Sequence, residues 1–173
     1  MRKFVLIGVL CLGAFVIPAA QASSLTIDGH FKESYPKDGS QACVSPTGGT
    51  CGPGKLKGYG DATESFMELE RLGIDENGCL LILASDTITL ADAQQSSFTV
   101  IEHDTICNPG NSHGAPGHLV SYGNPTKFAG TWVYATGSGT GVFANACGGS
   151  GTDNTIFAGA AAIVDYVGTL TTC

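Results

Sequence analysis

The sequence predicts an all-β domain, a sandwich or a barrel, and three observations carry that expectation. Runs of alternating apolar and polar residues recur, as in "SLTIDGHFKESY" at 24–35. Glycine-rich turns separate the runs, and no long helical period appears between them. The stretch "GTWVYATGSGTGVFANACGGSG" at 130–151 sets seven glycines among Trp132, Tyr134 and Phe143. Glycine inside a strand costs roughly 0.5–1 kcal/mol relative to alanine. A cluster of them therefore marks strands that bend or pass close to a neighbour, as the coiled wall of a closed barrel requires.

At the N-terminus, Arg2 and Lys3 precede an apolar run from Phe4 to Ile17, and Ala20-Gln21-Ala22 supplies a small-x-small cleavage pattern. This predicts a signal peptide over 1–22, a secreted or periplasmic protein cleaved after Ala22, and one domain over 23–173. The run is shorter than the ~20 residues a bilayer-spanning helix needs. No membrane span is expected in the mature chain. The whole chain has 8 basic and 15 acidic residues. Loss of Arg2 and Lys3 leaves 6 against 15, a net charge of −9. Such a balance, with scattered lysines, argues against nucleic-acid and anionic-membrane partners.

In Leu25–Lys32 the apolar positions fall on one parity, which predicts a half-buried strand. Residues 36–55, rich in proline and glycine, read as a loop. The segment 58–73 admits a strand or a short amphipathic helix; Glu64, Phe66 and Glu68 at alternate positions favour the strand, with Glu64, Glu68 and Glu70 then sharing one face. Two β-rich runs, 79–90 and 97–107, flank the polar "ADAQQS" and predict a hairpin centred on Ala93. After the loop "NPGNSHGAPGH", strands are expected at "LVSY", "FAGTWVYAT" and "GVFANAC". A last strand, "TIFAGAAAIVDYVGTL", reads as apolar on both faces, which fits a subunit interface or an outer face covered by the chain's own loop or terminus.

Six cysteines remain after export, Cys43, Cys51, Cys79, Cys107, Cys147 and Cys173. An even number in an exported domain reads as three disulfides. Cys79 and Cys107 are equidistant from Ala93, so they oppose each other across the hairpin. Proximity pairs Cys43 with Cys51, and elimination leaves Cys147 with Cys173.

The candidate chemistry centres on "EHD" at 102–104, where period two sends Glu102 and Asp104 to one face and His103 to the other. Ionised carboxylates are rarely buried unpaired, which favours the outer, solvated face for Glu102 and Asp104. His103 then points inwards, as a core histidine or a general base. The opposite assignment would put two carboxylates in an enclosed lumen, where they could do acid–base work. Trp132 and Tyr134 share a face and could stack on a ligand or simply fill the core. His113 and His118 match no standard ligand spacing, so no metal and no cofactor are expected. "GSGTG" at 137–141 lacks the Lys-Ser/Thr ending of a phosphate loop, and Ser138 lacks a nucleophile elbow.

The run Gly139-Thr140-Gly141-Val142-Phe143-Ala144-Asn145-Ala146, following the aromatic strand "FAGTWVYAT", resembles the C-terminal half of the allene oxide cyclase/dirigent-like barrels, above all their secreted bacterial relatives. Cys147 departs from that pattern, standing where glycine is expected; "GYGDAT" at 58–63 and "DTITLADA" at 86–93 are fainter echoes. The resemblance implies an antiparallel barrel of about eight strands with a central cavity, often trimeric, and carries over no catalytic residue. Three functions fit these readings. One is a barrel binding a small apolar or aromatic ligand and steering its cyclisation or coupling, marked by a lumen with a mouth. Another is an enzyme using an enclosed carboxylate or His103, marked by a perturbed pKa in the cavity. The third is a structural or assembly protein of the envelope or extracellular space, marked by a solid barrel. The small-ligand barrel is the expectation carried forward.

Overall fold

The computed structural model describes residues 22–34, 50–108, 126–158 and 161–173. The signal-peptide reading up to residue 21, the loop histidines His113 and His118, and the strand expected at "LVSY" lie outside them. Eight antiparallel strands close into a barrel in which each pairs with its neighbours in sequence and the last pairs with the first. They are β1 (Ser24–Ser34), β2 (Thr50–Leu56), β3 (Gly60–Ile74), β4 (Leu80–Leu90), β5 (Ser97–Cys107), β6 (Lys127–Tyr134), β7 (Ala146–Ala158) and β8 (Ala161–Thr172). The expected all-β barrel is the fold. No helix among the described residues is long and apolar enough to cross a membrane.

The β4–β5 hairpin has the expected register. Leu80 faces Ile106 and Ser85 faces Ile101, so the pairing stays centred on Ala93. Continued one residue, it brings Cys79 and Cys107 to a Cα separation of 4.2 Å, and they form a disulfide. Cys147 and Cys173 are bonded as elimination predicts, fastening the start of β7 to the C-terminus. Cys51 is disulfide-bonded as well, and Cys43, its expected partner, lies outside the described residues.

Three expectations are corrected. The supposed loop at 50–56 is β2, whose inward glycines let it lie close against β1: a Cβ on Gly52 or Gly54 would collide with the backbone of residues 30–33. "GVFANAC" is no strand but a 3-10 turn at Gly141–Phe143 leading into β7. "TIFAGAAAIVDYVGTL" is two strands rather than one: β7 ends at Ala158 and β8 begins at Ala161, with Ile156 facing Ile163 and Phe157 facing Ala162. Reading it as one strand with two apolar faces merged the inner and outer faces of β7 and β8, so the interface argument loses its premise.

Side chains inside the barrel form three levels. At the end sealed by the 3-10 turn, Ile27, Leu56, Ile88, Leu90, Phe98, Trp132 and Phe143 lead a large apolar cluster. Complete burial of such a side chain contributes about 1.5–3 kcal/mol. Phe143 packs edge-on against Phe98 at 4.8 Å and on Tyr59 at 5.2 Å. At the other end Phe66, Leu80, Ile82, Ile106 and Phe128 form a smaller cluster. The connections 35–49, 75–79 and 108–126 leave and return there. Between the two apolar levels lies a polar one.

Candidate functional site: an acid layer in the barrel lumen

The polar level follows from strand parity. On β5 the inward positions are Phe98, Val100, Glu102, Asp104 and Ile106. Asp86 shares its parity on β4 with Ile82, Ala84 and Ile88. Glu64 lies inwards on β3, two residues before Phe66, and Asp153 on β7 lies two before Thr155. With Glu33 near the end of β1 and Glu68 on β3, seven carboxyl groups are buried to at least nineteen parts in twenty in one lumen. No lysine, arginine or histidine is among the described residues lining the cavity they enclose.

This reverses the expected orientation of the "EHD" tripeptide. Glu102 and Asp104 are 2% and 1% exposed, inside the barrel, whereas His103 is exposed on its outer face. The expectation assumed that the carboxylates would be ionised. Buried without a cation or donor they are instead held neutral, since an uncompensated buried charge is far costlier than a proton. Burial is the largest cause raising Glu64, Glu102 and Asp86, with neighbouring carboxylates reinforcing it for the two glutamates. Asp104 is pushed up to about 9, by burial first and then by the Asp153 and Asp86 charges, and Asp153 to about 6, by burial first and then by the Asp86 charge.

Hydrogen bonding within the layer depends on those protons. Tyr166 Oη donates a short hydrogen bond to Asp86 Oδ2, and burial and the Asp86 charge hold the Tyr166 phenol well above its usual range. Both oxygens of Glu64, both of Asp104, and one each of Asp86, Glu102 and Asp153 have no donor in reach. Glu64 and Glu102 each approach Asp86 closely enough to hydrogen-bond once one partner is protonated, and Asp104 approaches Asp153 likewise. An ionised carboxylate only accepts; a protonated one also donates. The layer is therefore coherent only when it holds protons, or a cation in their place.

At its edges the layer is pinned by conventional partners. Thr50 Oγ1 donates to Glu33 Oε1 at 2.8 Å. Arg71 Nε donates to Glu68 Oε1 at 2.8 Å. A β-bulge between Glu68 and Glu70 turns Glu70 outwards, so Glu64 and Glu68 share the inner face and Glu70 leaves it. The strand reading of this segment stands, with that one residue corrected.

The cavity itself is lined by Glu33, Glu64, Asp86, Glu102, Asp153 and Tyr166, with Thr50, Thr155, Val164, Phe66 and Phe128 completing its wall. Water centres fit over about 20 Å³ of it. One water needs roughly 10–15 Å³ by that measure, so the space accepts one or two waters, an ion, or the polar end of something larger.

Trp132 and Tyr134, the aromatic ligand candidates, belong to the apolar cluster and do not line this cavity. The Trp132 ring lies over Gly151 and Gly168, where a Cβ would strike it, and its Nε1 donates to the Thr152 carbonyl at 3.1 Å. Tyr134 Oη accepts the Gly139 N–H at 2.8 Å. Both are anchored core residues. Sequence reasoning did not single out Glu33, Asp86, Asp153 and Tyr166. The available signal was parity: Glu33 and Asp86 alternate with apolar or aromatic residues on their own strands, whereas Asp153, between Gly151 and Thr155 at its parity, carried no such signal.

No protein-family model and no curated protein matches the chain.

Proposed function

We propose that this chain is an exported barrel that takes a small molecule into its lumen and steers its cyclisation or coupling with neutral carboxyl groups. The observation that carries the reading is the buried set Glu64, Asp86 and Tyr166 on the wall of an internal cavity, where burial raises both carboxyls. A carboxyl kept neutral at working pH can donate a proton or a strong hydrogen bond, as a general acid must. Glu64 is the donor here, because neither of its oxygens accepts a hydrogen bond from a fixed donor and its neutral carboxyl carries the proton it shares with Asp86. Asp86, oriented by Tyr166, is the partner that shares its proton.

The ligand class shifts accordingly from the purely apolar one expected from sequence. The wall favours a molecule with a hydroxyl or carbonyl oxygen directed at Glu64 and an aromatic or apolar body against Phe66 and Phe128. Such a body extends towards the barrel end carrying the two long connections, since the cavity holds little beyond the polar group. Asp104 and Asp153 are not needed for this reading.

Native mass spectrometry of protein purified from an oxidising compartment, without refolding, tests it. The expected result is a co-purifying small molecule that is lost on denaturation. A Glu64→Gln variant, folded by circular dichroism, should bind that molecule at least about tenfold more weakly, the equivalent of one strong hydrogen bond or 1.4 kcal/mol. A clean apo mass, together with no binding across a library of phenols and oxylipin-like carbonyl compounds, overturns the reading in favour of a structural or assembly role.

A further inference from the structure

We propose that Glu102, Asp104 and Asp153 form a binding site for one hard divalent cation of the Ca²⁺, Mg²⁺, Mn²⁺ class. One carboxylate oxygen from each lies within 4.8 Å of the others, and all three side chains are buried. The donor set is oxygen alone, with no imidazole or thiolate, which selects hard cations over zinc or copper. Ca²⁺–oxygen distances of roughly 2.3–2.6 Å fit a triangle of this size, whereas Mg²⁺ at roughly 2.0–2.1 Å requires the three oxygens to draw in to about 4.2 Å or less. Open coordination positions can be filled by water.

The backbone is shaped to make this cluster. Asp104 on β5 and Asp153 on β7 face the same residue of the intervening β6, Gly130. A side chain there would fill the gap between them, since a Cβ on Gly130 would collide with Asp104 Oδ1 and the His103 carbonyl. Glycine lets two acids from next-nearest strands lean together across β6. The Gly130 backbone N–H then supports Asp153, while Glu102, two residues before Asp104, closes the third side.

A separate observation points to an occupant. Glu64, outside this triad and fully buried, lines the cavity that Glu102 and Asp153 also line, with both oxygens lacking a donor. That cavity has space for a cation with a water ligand. A cation would meet the shortage of positive partners in the lumen that protons otherwise meet. Its three ligands are not those of the small-molecule reading, which rests on Glu64, Asp86 and Tyr166; the two share the cavity that Glu64 lines.

Titration calorimetry and thermal melts of chelator-stripped full-length protein, with CaCl₂, MgCl₂ and MnCl₂ in turn, test the site. At least one cation should bind with a stoichiometry of one per chain and raise the melting temperature at millimolar concentration. Asp104→Asn should raise the melting temperature of the cation-free protein, because a neutral amide removes a buried acid, yet abolish the cation-induced shift. Asp153→Asn should weaken binding at least tenfold, and Glu70→Gln, on the outer face, should leave it unchanged. The proposal is overturned if none of the three cations binds, or if binding survives both Asp104→Asn and Asp153→Asn.

Discussion

At the scale of single residues, glycines decide where the acids can meet. Gly130 sits between Asp104 and Asp153, and Gly151 with Gly168 forms the floor beneath Trp132. Gly130→Ala should cost about 1–3 kcal/mol through forced displacement of Asp104 and the β5 backbone, measured by urea denaturation. A cost near zero would show that β5 and β6 stand further apart than described. The density of glycine at 130–151 was legible in the sequence as a sign of close approach. The identity of the approaching group was not, because Asp104 and Asp153 reach Gly130 from strands 26 positions before it and 23 after it. The inward orientation of Glu102 and Asp104 was available in principle. Phe98, Val100 and Ile106 share their parity, while Ser97, Thr99 and Thr105 share that of His103. The rule against burying charged carboxylates outweighed that pattern, and the rule does not apply to carboxyls that keep their protons.

At the scale of elements, the β4–β5 hairpin was the most legible part, since two runs of similar length around a polar turn leave few registers. Its disulfide joins residues 28 apart. Replacing Cys79 and Cys107 by serine should lower stability by about 2–4 kcal/mol, seen as an earlier denaturation midpoint, whereas an unchanged midpoint would assign the hairpin's stability to packing alone. The strand β2 was the least legible. Its sequence, "TCGPGKL", carries a proline and two glycines, which local propensity assigns to a turn. Tertiary crowding explains the exception, because β1 approaches so closely that side chains larger than hydrogen are excluded at 52 and 54. The break between β7 and β8 was hidden for a related reason: "AGAAA" has neither proline nor a polar turn residue to mark it.

For the whole molecule, the acid layer ties stability to pH in an unusual direction. Asp153 and Asp104 keep their protons in the fold to about pH 6 and about 9, against 3.8 for a free aspartate. Below 3.8 the folded and unfolded chains both hold these protons, and the contribution is fully present. As pH rises above 3.8, the unfolded chain releases them while the fold still retains them, so stability is lost up to about pH 6 for Asp153 and up to about 9 for Asp104. Glu64 and Glu102, raised by the same burial, act in the same direction. Asp75 and Asp92 oppose them. Asp75 accepts the Cys79 and Asn77 backbone N–H groups, and Asp92 the Ser96 hydroxyl and then its backbone N–H; these hold both carboxyls below the usual value, so their contribution is lost as pH falls below about 3.8. In the presence of a chelator, the melting temperature should therefore peak near pH 4 and decline towards pH 9. Asp104→Asn should flatten that decline. Calorimetry across the range checks both, and a melting temperature that rises from pH 5 to 9 would mean the layer is ionised and otherwise compensated.

The 3-10 turn at Gly141–Phe143 adds a kinetic consequence. Val142 N–H bonds Ser96 Oγ at 3.1 Å, Thr140 Oγ1 accepts the Ser97 N–H at 2.9 Å, and Phe143 is completely buried. That end of the tube is a fixed stopper, built from the same residues that hold the β4–β5 turn. Exchange between the acid layer and solvent through that end therefore requires the stopper to unpack, so its rate there is set by local unfolding and not by diffusion.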